Sequence, residues 1–175
     1  MKNNLQKLVL SAVFLALGLI LPFFTAQIQS IGNMLLPMHL PVFLCGLLCG
    51  PLYGGAVGFI TPLMRSFLFG MPLIYPNAIS MAFELMTYGA VVGLLYLLFR
   101  KKNLLSVYLS LIPAMLAGRI VWGIAQAILL NLEGSKFALS VFWTNGFVNA
   151  VPGILLQLVL IPALMIFIQR YQQKS

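Results

Sequence analysis

Only two carboxylate side chains, Glu84 and Glu133, occur in this 175-residue chain, and aspartate is absent. Charged residues make up 7% of the sequence and hydrophobic ones 62%, whereas a water-soluble surface draws on about 25% charged residues. The chain is therefore read as one dissolved in lipid. At this length it is a single domain, residues 1–175, with room for about six helical spans of ~20 residues each. No stretch is left over for a soluble catalytic or nucleotide-binding unit. The few polar groups inside apolar segments then carry most of the functional signal, because lipid makes them costly.

Gly, Pro and polar clusters divide the apolar runs into six spans, roughly 5–24, 36–49, 52–70, 76–99, 104–131 and 145–169. The second is the shortest. The expected fold is an all-α integral membrane protein, a bundle of six transmembrane helices with both termini cytoplasmic. That orientation places Lys2, Lys7, Arg100, Lys101, Lys102, Arg170 and Lys174 inside and leaves only Lys136 in an outer loop, a strong positive-inside bias. The outer connections, 25–35 and 132–144, are the longer ones, which suggests that any gate or lid lies outside. Lys2 and Lys7 before an apolar run resemble a signal peptide. The run from Leu8 to Phe24 is long for one, however, and no A-x-A-type cleavage site follows, so it is read as a retained first helix.

The net charge of +8 does not indicate nucleic acid, because the basic residues cap hydrophobic runs instead of forming a patch. Cys45 and Cys49 lie one helical turn apart, and with a single His in the chain they fit packing better than a metal or redox site.

Four ionisable residues fall inside or at the edge of the spans: His39, Arg65, Glu84 and Arg119. At 1.5 Å per helical residue, Arg65, Glu84 and Arg119 lie roughly 8, 12 and 15 Å below the outer boundary. His39 belongs to the same layer. Asn77, Ser80, Glu84 and Tyr88 form one stripe on the fourth span, and Arg119, Trp122 and Gln126 share a face of the fifth. On the sixth, Asn145 and Asn149 stand one turn apart with Gly153 below. A cavity open to the outside would need polar faces like these at one depth, and Arg65, Glu84, Arg119, Trp122, Asn149, His39 and Tyr88 are its candidate lining.

Each residue also has a plainer reading. A buried Arg–Glu pair can be purely architectural, His39 between Pro37 and Pro41 can be a loop anchor, and Trp122 and Tyr88 can be core fillers. Two arginines against one glutamate nevertheless leave a positive charge that calls for an anionic ligand or a wet cavity. Small residues four apart, Ala12/Ala16, Gly46/Gly50 and Gly54/Gly58, allow helices to approach closely.

Catalysis has little support. Without aspartate there is no acid-rich Mg²⁺ site, and neither an H-E-x-x-H motif nor a Walker A sequence occurs. No enzyme activity, cofactor or metal is expected. Glu84 alone is a thin basis for ion coupling, so uphill transport would need energy from another subunit.

The whole chain resembles the substrate-binding S component of an energy-coupling factor (ECF) vitamin transporter. The resemblance is carried by Leu8-Val9-Leu10-Ser11-Ala12-Val13-Phe14-Leu15-Ala16, by the stretch from His39 to Pro51 with its P-x-x-x-x-G-x-x-x-G-P pattern, and by size, span number and basic ends. It implies a high-affinity vitamin site in the outer half of the bundle. It also implies docking of Ala12 and Ala16 on a transmembrane scaffold (T component) that works with two cytoplasmic ATPase subunits, toppling of the S component during transport, and residence in a prokaryotic plasma membrane. No substrate contacts carry over by motif. Two arginines against one glutamate lean toward a carboxylate-bearing vitamin such as pantothenate or a folate, while Tyr88, Trp122 and Trp143 equally suit a flat ring. A stand-alone secondary carrier and a ligand-free membrane scaffold are the alternatives.

Overall fold

The structure is a computed structural model that describes residues 3–26, 36–132, 134, 143–144 and 148–174. Most of the expected outer connections 25–35 and 132–144, including Lys136, lies outside the described residues, as does Asn145. Among the described residues every regular element is helical. The elements are α1 (Asn4–Ala26), α2 (His39–Cys49), α3 (Pro51–Phe69), α4 (Ile79–Leu98), α5 (Leu104–Leu132) and α6 (Val151–Lys174), with a wide turn, Ile74–Ala78, leading into α4. Among the described residues five apolar helices are long enough to cross a membrane. This chain is a multi-pass membrane protein.

The second expected span is the exception. With 11 residues, α2 is about 16 Å long, roughly half of a ~30 Å hydrocarbon core. It turns directly into α3 at Gly50, whose φ of 99° is open to glycine and strained for other residues. Pro51 follows as the first residue of α3, where its missing N–H costs nothing. Because α3 has 19 residues and α2 has 11, the start of α2 lies about 12 Å short of the far end of α3. His39, the first residue of α2, is thereby set deep in the bundle.

The sixth helix begins later than the sequence pattern suggests, at Val151 instead of 145. Pro152 explains the shift, since proline is at home in the first helical turn. Asn149 therefore lies in the turn before α6, its N–H donating to the Thr144 carbonyl at 2.8 Å, and does not form a helical stripe with Gly153.

At the centre, α4 packs against α2, α3 and α5, while α1 covers α2 and α3. Glycines set the closest approach. A Cβ on Gly54 would lie 2.6 Å from Gly46 Cα and 2.6 Å from the Gly89 carbonyl oxygen, and one on Gly89 would collide with the Gly54 backbone. Gly58 meets the Leu85 backbone in the same way. Gly50 does not join this set, because a Cβ there would meet nothing within 4 Å; its role is the turn. Backbone-to-backbone contact of this kind is how helices associate in lipid, where the solvent is as apolar as the side chains. Gly89→Ala is accordingly expected to destabilise the fold by roughly 1–3 kcal/mol through overpacking. Gly55→Ala, whose Cβ would sit 3.5 Å from that of Ala90, should be tolerated. Thermal melts of the two variants in one detergent check the contrast, and equal behaviour would refute the packing assignment.

Candidate functional site

Three of the residues singled out by depth, His39, Glu84 and Arg119, converge, and Tyr88 joins them. Glu84, on the second turn of α4, is 2% exposed, and its Oε1 is the hub. Arg119 of α5 brings Nη1 to 2.9 Å from it. The Tyr88 hydroxyl, one turn along α4, donates to the same oxygen at 2.8 Å. His39 of α2 places Nε2 at 3.8 Å, too long for a hydrogen bond. The Tyr88 ring lies between neighbours, 4.9 Å from the Phe43 ring centroid and 5.3 Å from that of His39. Gly118 makes room for it, as a Cβ there would collide with the Tyr88 ring.

The pair Glu84–Arg119 is internally neutral and buried. A buried ion pair gains little over an apolar pair, so stability alone is a weak reason for its presence. Above it, toward the end of the bundle remote from Arg100, Lys101 and Lys102, Trp122 and Gln126 continue the buried face of α5. Gln126 Nε2 donates to Asn77 Oδ1 at 3.2 Å, and Ser80 Oγ donates to the Asn77 carbonyl at 2.9 Å. The Tyr75 hydroxyl donates to the Leu129 carbonyl, tying the entry to α4 to the end of α5.

Several buried polar atoms on this face have no hydrogen-bond partner among the described residues: both ring nitrogens of His39, Arg119 Nε and Gln126 Oε1. An unpaired buried polar group costs about 1–3 kcal/mol, and most such groups in proteins are satisfied. The His39 and Arg119 atoms stand at the ion pair, where they offer hydrogen-bonding capacity to a small molecule, and Gln126 lies two helical turns further along α5. Among the described residues no three His, Cys, Asp or Glu side chains come together as a metal site would require.

Arg65 faces away from this cluster. Its Nη1 donates to the Leu19 carbonyl of α1 at 2.6 Å, one turn before Pro22 inside that helix. Its guanidinium carbon lies 4.8 Å from the Phe23 ring centroid and 5.7 Å from that of Phe69, within cation–π range. Arg65 thus fastens α1 to α3, and the positive charge left over in the sequence argument is not in the Glu84 cluster. Asn149 and Trp143 are both exposed.

Sequence reasoning did not single out Phe43, Gly118 or Gln157. Phe43 and Gly118 sit in apolar runs that carry no local sign of their contact with Tyr88. Gln157, 2% exposed on α6, reaches the Leu36 carbonyl just before α2 at 3.5 Å; an amide inside an apolar span was a legible signal for it. Cys45 and Cys49 are both buried, with no disulfide between them, and Cys45 Sγ contacts Ser11 Oγ at 3.6 Å. Ala12 and Ala16 lie on the exposed face of α1, in a row with Val9, Val13 and Leu17.

A family model described as "ECF transporter, substrate-specific component" matches residues 6–165 of the chain. No curated protein and no solved structure gives a significant match.

Proposed function

Because this chain belongs to the substrate-specific components of ECF transporters, we propose that it is a high-affinity vitamin-binding subunit whose ligand sits against His39, Glu84, Tyr88 and Arg119. The observation that supports this reading is the set of buried, unpartnered polar atoms on His39 and Arg119 at a neutral ion pair, with Gln126 two turns further along α5. The chain acts as one binding domain in a prokaryotic plasma membrane, with the site in the outer half and the basic end, including Arg100, Lys101 and Lys102, in the cytoplasm. Trp122, one turn along α5 from Arg119, lines the entrance, and Asn149 stands at its outer margin. Uptake draws its energy from partners, a transmembrane scaffold that docks on Ala12 and Ala16 and two cytoplasmic ATPases. The charge that favoured a carboxylate-bearing vitamin on sequence grounds is missing from the cluster, since Arg65 is turned to α1 and Arg119 is matched by Glu84.

The test is a titration of the purified chain with a panel of B vitamins, followed by tryptophan fluorescence. Trp122 and Trp143 are the two fluorophores, and Trp122 is buried beside the cluster. A saturable, submicromolar response to one compound that is lost in Trp122→Phe is the expected result. A well-folded preparation that answers to none of them would favour a ligand-free scaffold.

A further inference from the structure

Gln157 is a buried amide outside the ion-pair cluster. On α6 it belongs to the row Gly153, Gln157, Ile161 and Met165, one turn apart and all buried, where an apolar side chain would suit the packing. A buried amide is costly without a partner. Its Nε2 donates to the Leu36 carbonyl at 3.5 Å, a long bond, and so ties the first half of α6 to the turn that opens α2.

Leu36 is a place where such a tie is needed. Its φ of 50° lies in the left-handed region, uncommon for a bulky side chain, and Pro37 after it biases the backbone toward an extended form. Among the described residues it is the only non-glycine with a positive φ. Backbone of this kind persists where its surroundings hold it. Two donors meet the Leu36 carbonyl, the His39 N–H at 3.0 Å and the Gln157 amide. The same carbonyl faces the His39 imidazole, whose Nε2 lies 3.8 Å from Glu84 Oε1. The ring thus has two acceptors as neighbours, and which of its nitrogens carries a proton depends on how they are placed.

From this chain of contacts, and resting on the binding-subunit reading above, we propose that Gln157 is a positioning residue of the ligand site. It holds the Leu36 carbonyl against the His39 imidazole, and thereby sets the ring's orientation and the nitrogen that carries its proton beside Glu84. Gln157 acts through Leu36 and need not touch the ligand. A supporting bond of this kind raises affinity because a ring already in place is not ordered anew when the ligand arrives. It also makes α6, which packs on α5 and α2, part of the scaffold of the site.

His39 is the only histidine in the chain, so isotope-labelled histidine in the full-length protein gives a single imidazole to follow by NMR in detergent. The parent should show one set of ring signals for one protonation form. Gln157→Met, which keeps the volume and removes the donor, should shift those signals or average them between tautomers. It should also weaken binding at least tenfold for whichever of riboflavin, thiamine, biotin, pantothenate, nicotinate, pyridoxine and folate the parent binds. Gln169→Met is the control. It removes the 3.0 Å bond from Gln169 Nε2 to the Tyr96 hydroxyl, which loosens α6 near its other end, and should leave ring signals and affinity as in the parent. Parent signals already averaged between tautomers would overturn the inference, whether or not the variant folds. Unchanged signals in Gln157→Met, or equal changes in Gln169→Met, would overturn it and leave the binding-subunit reading intact. No response to any vitamin would overturn the binding-subunit reading and the effect on affinity with it, while the ring signals still decide whether Gln157 positions His39.

Discussion

Arg119→Ala should cost this protein about 3–5 kcal/mol of stability, the usual penalty for leaving one partner of a buried ion pair uncompensated, and abolish ligand binding. Glu84 would then be a carboxylate at 2% exposure, with only the Tyr88 hydroxyl donating to its Oε1. Glu84→Gln should be costly for the mirror-image reason, since it strands the guanidinium. The double variant Arg119→Met with Glu84→Gln removes both charges, and its stability should return close to that of the parent. A double-mutant cycle isolates this coupling because the two side chains are in direct contact. Binding should not return with stability, since the double variant lacks the Arg119 Nε donor. Melting curves in detergent together with the vitamin titration report the two quantities separately. Single variants that melt like the parent would show that the pair is solvated. Recovery of binding in the double variant would remove Arg119 and Glu84 from the site.

Ala12→Leu and Ala16→Leu should separate binding from uptake. Both alanines lie on the exposed face of α1, one turn apart, where small side chains let a second helix approach at backbone distance. Leucine at either position holds a partner helix away. Cells expressing the ATPase module should show at least tenfold less uptake with either variant, while the purified chains keep the parent's dissociation constant. Full uptake by both variants would place the docking face elsewhere or favour a carrier that works alone. Because both alanines are exposed on α1, a parallel loss of binding would instead mean that α1 shapes the site.

Much of the architecture was legible because hydropathy is a local property. A run of apolar residues marks a span whatever packs against it, so α1, α3 and α5 fall within two residues of the expected ends and α4 within three. Pro152 could have corrected the start of α6, since proline in the first turn is a local rule. The true length of α2 was harder to read, because an apolar run does not distinguish a full span from a half-length helix inside a bundle.

Depth was equally legible. Counting residues from the ends of the spans was enough to gather His39, Glu84 and Arg119 into one layer. Direction was not. Arg65 was expected in the same layer, and its turn toward the Leu19 carbonyl and two phenylalanine rings depends on where α1 lies against α3. The count of two arginines to one glutamate therefore misjudged the local charge: a charge balance holds for a site, and a site is defined by packing. The contacts of Phe43 and Gly118 with Tyr88 belong to the same class, as does the difference between Gly50 at a turn and Gly46 at an interface. The sequence by itself determined that this chain crosses a membrane, which polar residues fall within its spans and to which family it belongs, because these follow from composition, spacing and motif along one dimension. Only the tertiary structure decided which charges meet, because a side chain's partners are chosen by helices that approach from elsewhere in the chain.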